Sequence, residues 1–337
     1  MFCFCFKFIS KLKKIKSILP LKLVNNHQII CEIITDFNVK NHLFLWKFPH
    51  YKSSRTYYNN NIVNKTNIDT GKIAEILNKF LELKSLKDRC TTKVPELPAF
   101  CAELNGEIEN EENLFKKNKL LKEKLQKYFK SPDFEQNKIE LINYIVKTWG
   151  GIQGLKNYRT IEKDIASAKQ VDMNISGRNT CIPSRSKVLS FLNPEEYVIC
   201  DSRVIFSLNW LLFITRIKTR TEEQFVQFSK LEPRNKTCEI YSLSYLLEKY
   251  NLQPAEEKTQ YNDFIKVIED LTVKLKEKLK EKQGDDWKIY CTEMLLFQIA
   301  DDLEYGIPCL VRELLLNKDA VNNFSYEDAI ELLKSKK

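Results

Sequence analysis

Between Tyr261 and Leu279, apolar side chains recur three and four residues apart: Tyr261, Phe264, Ile265, Ile268, Leu271, Leu275 and Leu279 form one stripe. That spacing buries one face of a helix and conflicts with the two-residue alternation of a half-buried strand. Similar stripes recur from Asp69 onward. The 337-residue chain holds only 8 Gly and 10 Pro, few for a sandwich or barrel built on tight turns. With 43% hydrophobic residues, 20 Phe and 14 Tyr, it has ample material for a packed core. The expected fold is mainly α: a multi-helix globular body, preceded by a short basic arm that is extended or disordered.

Start and stop signals place the elements. Asp69 or Thr70 caps a helix carrying Ile73, Ile76, Leu77, Phe80 and Leu81. Residues 94–98 break the pattern, and the acidic run 103–112 reads as a solvated loop. A lysine-rich amphipathic helix spans Leu114–Phe129. Ser131-Pro132 then starts another helix, which stops at Gly150-Gly151. No strand precedes Gly150–Gly154, so these glycines read as a helix stop and not as a phosphate cradle. A short helix over 160–169 and a loop over 172–183 follow. Further helices fall at 240–250, 261–283, 287–303, 308–316 and 325–334, with Asp285 as a cap and Ser325 completing a capping box with Asp328. Lys274–Lys282 alternate with Glu277 and Glu281, a solvated face laced with ion pairs.

Charge and composition bound the function. Residues 1–68 carry 11 Lys/Arg against Glu32 and Asp36, a surplus of nine that equals the net charge of the whole chain. The remainder is neutral overall, so a basic field over the whole molecule is excluded. A local surplus survives between 173 and 221: Arg178, Arg185, Lys187, Arg203, Arg216, Lys218 and Arg220 face only Glu195, Glu196 and Asp201. The cysteines are scattered singly, apart from Cys3 and Cys5, and read as buried thiols of a reducing, cytoplasmic compartment. All three histidines precede residue 51. The body therefore has no imidazole for a catalytic triad, a Cys-His dyad or a His-ligated metal, and neither a metal nor a cofactor is expected. In residues 2–24 the lysines follow the apolar run, unlike a signal peptide, and the run is too short to cross a bilayer. The expected organisation is an arm over 1–67 and a helical domain over 68–337, divisible into lobes 68–150 and 151–337.

The stretch 186–212, SKVLSFLNPEEYVICDSRVIFSLNWLL, carries the chemistry. A short apolar helix leads through an extended connector to a second apolar helix that begins at Asp201. A carboxylate there caps backbone N–H groups at the positive end of the helix dipole. It also suits stabilisation of an electron-poor sugar or activation of water. Lys187 reads as a surface lysine, a phosphate contact or a nucleophilic amine. Arg178, Arg185, Arg203 and Arg216 are candidate substrate contacts. Glu293 lies inside the most apolar helix and needs a buried partner, for which Arg203 is the expected candidate.

The order Pro183, Lys187, apolar helix, Pro194, apolar connector, Asp201-x-x-Val204, apolar helix resembles the helix-hairpin-helix DNA glycosylase superfamily over about thirty residues. That resemblance implies a hairpin lysine, Lys187, as the nucleophile of a bifunctional enzyme, and Asp201 as the catalytic aspartate. The chain departs from the family in having no glycine in CIPSRSK, in a Lys187-to-Asp201 interval of 14 positions, shorter than is usual, and in lacking an iron–sulfur cysteine cluster. The same stretch, with a W…Y…TEMLLF…AD segment nearer the end, resembles uncharacterised bacterial helical proteins, which implies no activity. The leading expectation is a DNA-associated, glycosylase-like protein that recognises or excises a base. The alternative is a non-enzymatic helical module binding nucleic acid or a protein, with Asp201 and Glu293 purely structural. Membrane-surface association through residues 1–24 is the third.

Overall fold

The structure, a computed structural model, describes residues 68–153, 158–167, 173, 175, 181–218, 223–228, 241–243, 247, 252, 254, 256–279, 286–317 and 323–336. All belong to one unit, Asn64–Lys337. The expected arm and the cap at Asp285 lie outside the described residues, as does most of the 240–250 helix.

The described residues fold into twelve α-helices and four very short strands, so the mainly α expectation holds. Helix α1, Thr70–Leu83, starts where Asp69 accepts a hydrogen bond from the Lys72 amide at 3.0 Å and buries the anticipated stripe Ile73, Ile76, Leu77 and Phe80. A one-turn helix α2, Leu86–Arg89, follows under a Ser85 cap. The acidic run is not a loop: helix α3 spans Ala102–Glu109. Its charges mask one apolar contact line, on which Ile108 is buried and Leu104 packs against the same cluster, while Glu107 pairs with Lys124. Helix α4, Leu114–Phe129, has the expected bounds under an Asn113 cap.

Helix α5, Phe134–Asn143, begins two residues later than Ser131-Pro132 implied, after a turn. Ser131 does not cap it, and its hydroxyl is buried without a hydrogen-bond partner. The helix continues as a π-helical turn, Tyr144–Trp149, and stops at Gly150 and Gly151. Gly151 has a φ of +66°, the left-handed conformation that favours glycine.

After α6, Tyr158–Ala166, comes the central pair: α7, Ile182–Leu192, and α8, Ser202–Ile214. Cys181, immediately before α7, adopts a left-handed φ of 47°, uncommon without glycine. In α8 every residue from Val204 to Ile214 is buried, matching its near-continuous apolar sequence. Strands β1, Ile217–Lys218, and β2, Glu223–Gln224, pair antiparallel, whereas β3, Val226–Phe228, and β4, Glu256–Lys258, pair parallel. Asn209 of α8 pins β3, donating to the Phe228 carbonyl at 2.8 Å and accepting from its amide at 2.7 Å. Then follow α9, Tyr261–Leu279, α10, Ile289–Asp301, α11, Ile307–Asn317, and α12, Tyr326–Ser335, the last capped by Ser325 as expected.

Two apolar clusters result. The larger joins α1 and α8 to α9–α12, and the smaller joins α3–α6. They do not follow a division at 150/151, because α1 lies in the larger cluster beside the C-terminal helices. Helix α7 belongs to both, placing Leu189 in the larger and Val188 and Phe191 in the smaller. The cysteines Cys90, Cys101, Cys200, Cys291 and Cys309 are free thiols and buried, and Cys181 is half-buried.

Candidate functional site

The site is built where the connector 197–200 passes from α7 to α8. Asn193, Pro194 and the turn over 194–196 end α7, and the apolar run Val198-Ile199-Cys200 lies outside any helix or strand and is buried. At its end Asp201 caps α8. Its Oδ1 accepts from the Arg203 amide at 3.0 Å and the Val204 amide at 3.1 Å. Its Oδ2 faces Lys187, whose Nζ lies 3.4 Å away. The expected pair is thus brought together, with side chains 7% (Lys187) and 14% (Asp201) exposed. One carboxylate oxygen serves the helix, and the other meets the amine.

Lys187 is held from two sides. Its stem runs past Gly150, where an added Cβ would come within 2.8 Å of Cδ. The neighbouring Ser186 hydroxyl, fully buried, accepts from the Cys200 amide at 3.0 Å. The α7–α8 pairing is therefore tied by two adjacent bonds, Ser186 to Cys200 and Lys187 to Asp201. Burial pushes the Cys200 thiol well above its usual range, Asp201 adding to the rise and Lys187 opposing it. Cys200 therefore stays a neutral thiol beside the pair.

Behind the connector lies a second ion pair. Glu293 is buried in α10, as expected, but its partner is not Arg203. The Lys122 ammonium of α4 lies 3.2 Å from Glu293 Oε2, and these side chains are 1% and 2% exposed. Glu293 Oε2 also accepts from the Ile199 amide at 3.4 Å. The ammonium sits between aromatic faces, 5.5 Å from the Phe191 ring and 5.6 Å from the Tyr290 ring. Aromatic faces and a carboxylate together replace the water that a buried ammonium loses. Burial raises the Glu293 carboxyl above its ordinary range, with Lys122 opposing the rise.

Arg203 turns elsewhere. It pairs with Asp301 at 3.0 Å, stacks 4.7 Å from the Phe297 ring centre and stays 36% exposed. Geometry gives the reason: Arg203 is on the first turn of α8 beside the C-terminal turn of α10, too far along that helix to share Glu293's position. Arg185 makes a two-pronged pair with Asp164 of α6 at 2.5 and 2.7 Å. The Arg216 guanidinium is buried, donating to the carbonyls of Phe213 at 2.7 Å and Phe324 at 3.1 Å. Both were expected on phosphate; both are committed to internal bonds that fasten α6 to α7 and the end of α8 to the segment before α12. Arg178 lies outside the described residues. Asp302 binds Arg89 at 2.7 Å and caps the following turn through the amides of Glu304 and Tyr305.

Sequence reasoning missed Lys122, Ser186 and Tyr261, whose hydroxyl donates to the Val198 carbonyl at 2.5 Å. Lys122 carried a signal: it sits beside Leu121, three residues before Leu125 and four after Asn118, on the buried side of its helix. Among the described residues no group of three or more His, Cys, Asp or Glu is placed to hold a metal ion, and no helix is long and apolar enough to cross a membrane. No family model, curated protein or solved structure matches the chain.

Proposed function

We propose that Lys187 and Asp201 form the reacting centre of a glycosylase-like activity that breaks the bond between a base and its sugar in DNA. The observation carrying this reading is the division of labour at Asp201: Oδ1 is occupied by the cap bonds, while Oδ2 stands 3.4 Å from Lys187 Nζ. A carboxylate fixed in this way costs no reorganisation when positive charge develops next to it. The base enters extruded from the stack, so that its C1′ faces the pair. Lys187 gives up a proton to water, which leaves Asp201 ionised, and its free amine attacks C1′. The bond from C1′ to the base nitrogen breaks, and the base leaves with the bonding electrons and takes a proton from water. The Asp201 carboxylate steadies the sugar as positive charge grows on it; the sugar ring then opens, its oxygen leaving C1′ and taking a proton, to give an iminium between C1′ and the lysine, which water hydrolyses. Arg203, still partly exposed, supplies a phosphate contact, so binding weakens with added salt.

The internal commitment of Arg185 and Arg216 favours a second reading, a non-enzymatic helical module in which the pair only joins α7 to α8. The test is base release from end-labelled duplexes, each carrying one deaminated, oxidised or alkylated base. The wild-type chain releases at least one of them, and Asp201→Asn, which keeps a good N-cap, stops release without loss of folding. A wild-type chain that neither binds nor processes any duplex decides for the second reading.

A further inference from the structure

Three consecutive backbone groups lead into Asp201, and each is held by a side chain from a different helix. The Val198 carbonyl accepts from the Tyr261 hydroxyl of α9 at 2.5 Å. The Ile199 amide donates to Glu293 of α10 at 3.4 Å, and the Cys200 amide donates to Ser186 of α7 at 3.0 Å. Among the described residues no strand pairs with this buried segment to bond these groups, so side chains do so. Apolar packing alone would leave the connector free to slide along its own axis. Three directional bonds from three sides fix its register, and with it the place where the Asp201 carboxylate emerges.

We propose that Ser186, Tyr261 and Glu293 are positioning residues that set Asp201 against Lys187 by clamping residues 198–200. The proposal rests on the pair being the reacting centre described above. Ser186 is the strongest of the three, because it adjoins Lys187 in sequence and its bond partner adjoins Asp201. The Ser186–Cys200 bond therefore runs alongside the 3.4 Å contact whose length it sets. Tyr261 adds rigidity from the far side, its ring stacked 6.4 Å from that of Tyr197 at the start of the connector. Glu293 is fixed in turn by Lys122.

The experiment compares the full wild-type chain with Ser186→Ala, Tyr261→Phe and a control, Thr272→Val, which loses a buried hydroxyl bonded to Ile268 and Thr292 and not to any group of 197–201. Two quantities are read: steady-state base release on whichever duplex of the panel the wild type processes, and amide hydrogen exchange. Ser186→Ala and Tyr261→Phe lower kcat at least tenfold with KM within twofold, while Thr272→Val leaves both unchanged. Exchange at the Arg203 and Val204 amides, which Asp201 caps, rises at least tenfold in the two positioning variants, and exchange in the middle of α8 does not. If Ser186→Ala does not fold, Tyr261→Phe carries the comparison. Unchanged kcat in an active protein overturns the clamp and leaves the proposed activity standing. A wild type without activity removes the activity alone, and the clamp then stands or falls on exchange at Arg203 and Val204.

Discussion

Replacing Lys122 by Met keeps the length and most of the volume of the side chain but takes the ammonium away from Glu293. Both side chains are almost wholly buried and 3.2 Å apart, and among the described residues no other cation is seen on Glu293. The carboxylate would be left among apolar neighbours with only the Ile199 amide as a donor. Removing one member of a buried pair costs about 3–5 kcal/mol. At about 2–4 °C per kcal/mol for a domain of comparable size, the melting midpoint falls by about 6–20 °C. Glu293→Leu strands Lys122 in the same way, tempered by its two aromatic neighbours. The double variant Lys122→Met/Glu293→Leu has no charge left to strand. It loses the acceptor for the Ile199 amide, about 1–3 kcal/mol, but is relieved of desolvating two ions. It therefore lies closer to wild type than either single variant. Thermal and urea unfolding of the four proteins, followed by circular dichroism at neutral pH, closes the cycle. Single variants within about 0.5 kcal/mol of wild type, as ordinary surface changes are, would refute the reasoning. So would a double variant as unstable as the sum of the two singles.

Glu293 also makes stability depend on pH. Its carboxyl lies above the ordinary value of 4.5, so the folded chain holds that proton more tightly than the unfolded chain does. The stabilisation is full below 4.5 and is lost as pH rises through the raised value, so the advantage of wild type over Glu293→Gln shrinks as pH increases; a constant difference in melting midpoint would contradict this. At Gly150, a Cβ would meet the carbonyl oxygens of Ile145 at 2.6 Å and Val146 at 2.7 Å as well as the Lys187 stem. Gly150→Ala is therefore expected to cost about 1–3 kcal/mol in thermal unfolding, and adding Lys187→Ala should not restore it, because two of the three contacts are backbone.

The parts of the fold legible in the sequence were those where one physical signal dominates. Thr70–Leu83, Leu114–Phe129 and Tyr326–Ser335 each combine an apolar stripe with a polar cap, and their observed starts match. In residues 102–109 the signals conflict: the acidic residues suggest solvent, while Leu104 and Ile108 dock the helix. The four strands are two or three residues long, too short for alternation to register. At the site, Asp201 was legible because a carboxylate that opens an apolar helix has few uses. The partner of Glu293 was not, because Lys122 belongs to a helix with five other lysines, Lys116, Lys117, Lys119, Lys124 and Lys127, and composition hides the one that faces inward. Arg185 and Arg216 illustrate the converse: local charge surplus reports how many cations a region has, while the fold decides whether their donors point out or in.

The central claim is that Lys187 and Asp201 act on one sugar carbon. Borohydride reduction during reaction with the duplex panel tests it most directly, because the reagent fixes a lysine–sugar adduct only while that bond exists. The expected result is a covalent protein–DNA product whose mass maps to the peptide bearing Lys187, absent from Lys187→Ala and from Asp201→Asn. Base release with no adduct, or an adduct on a different lysine, would contradict it.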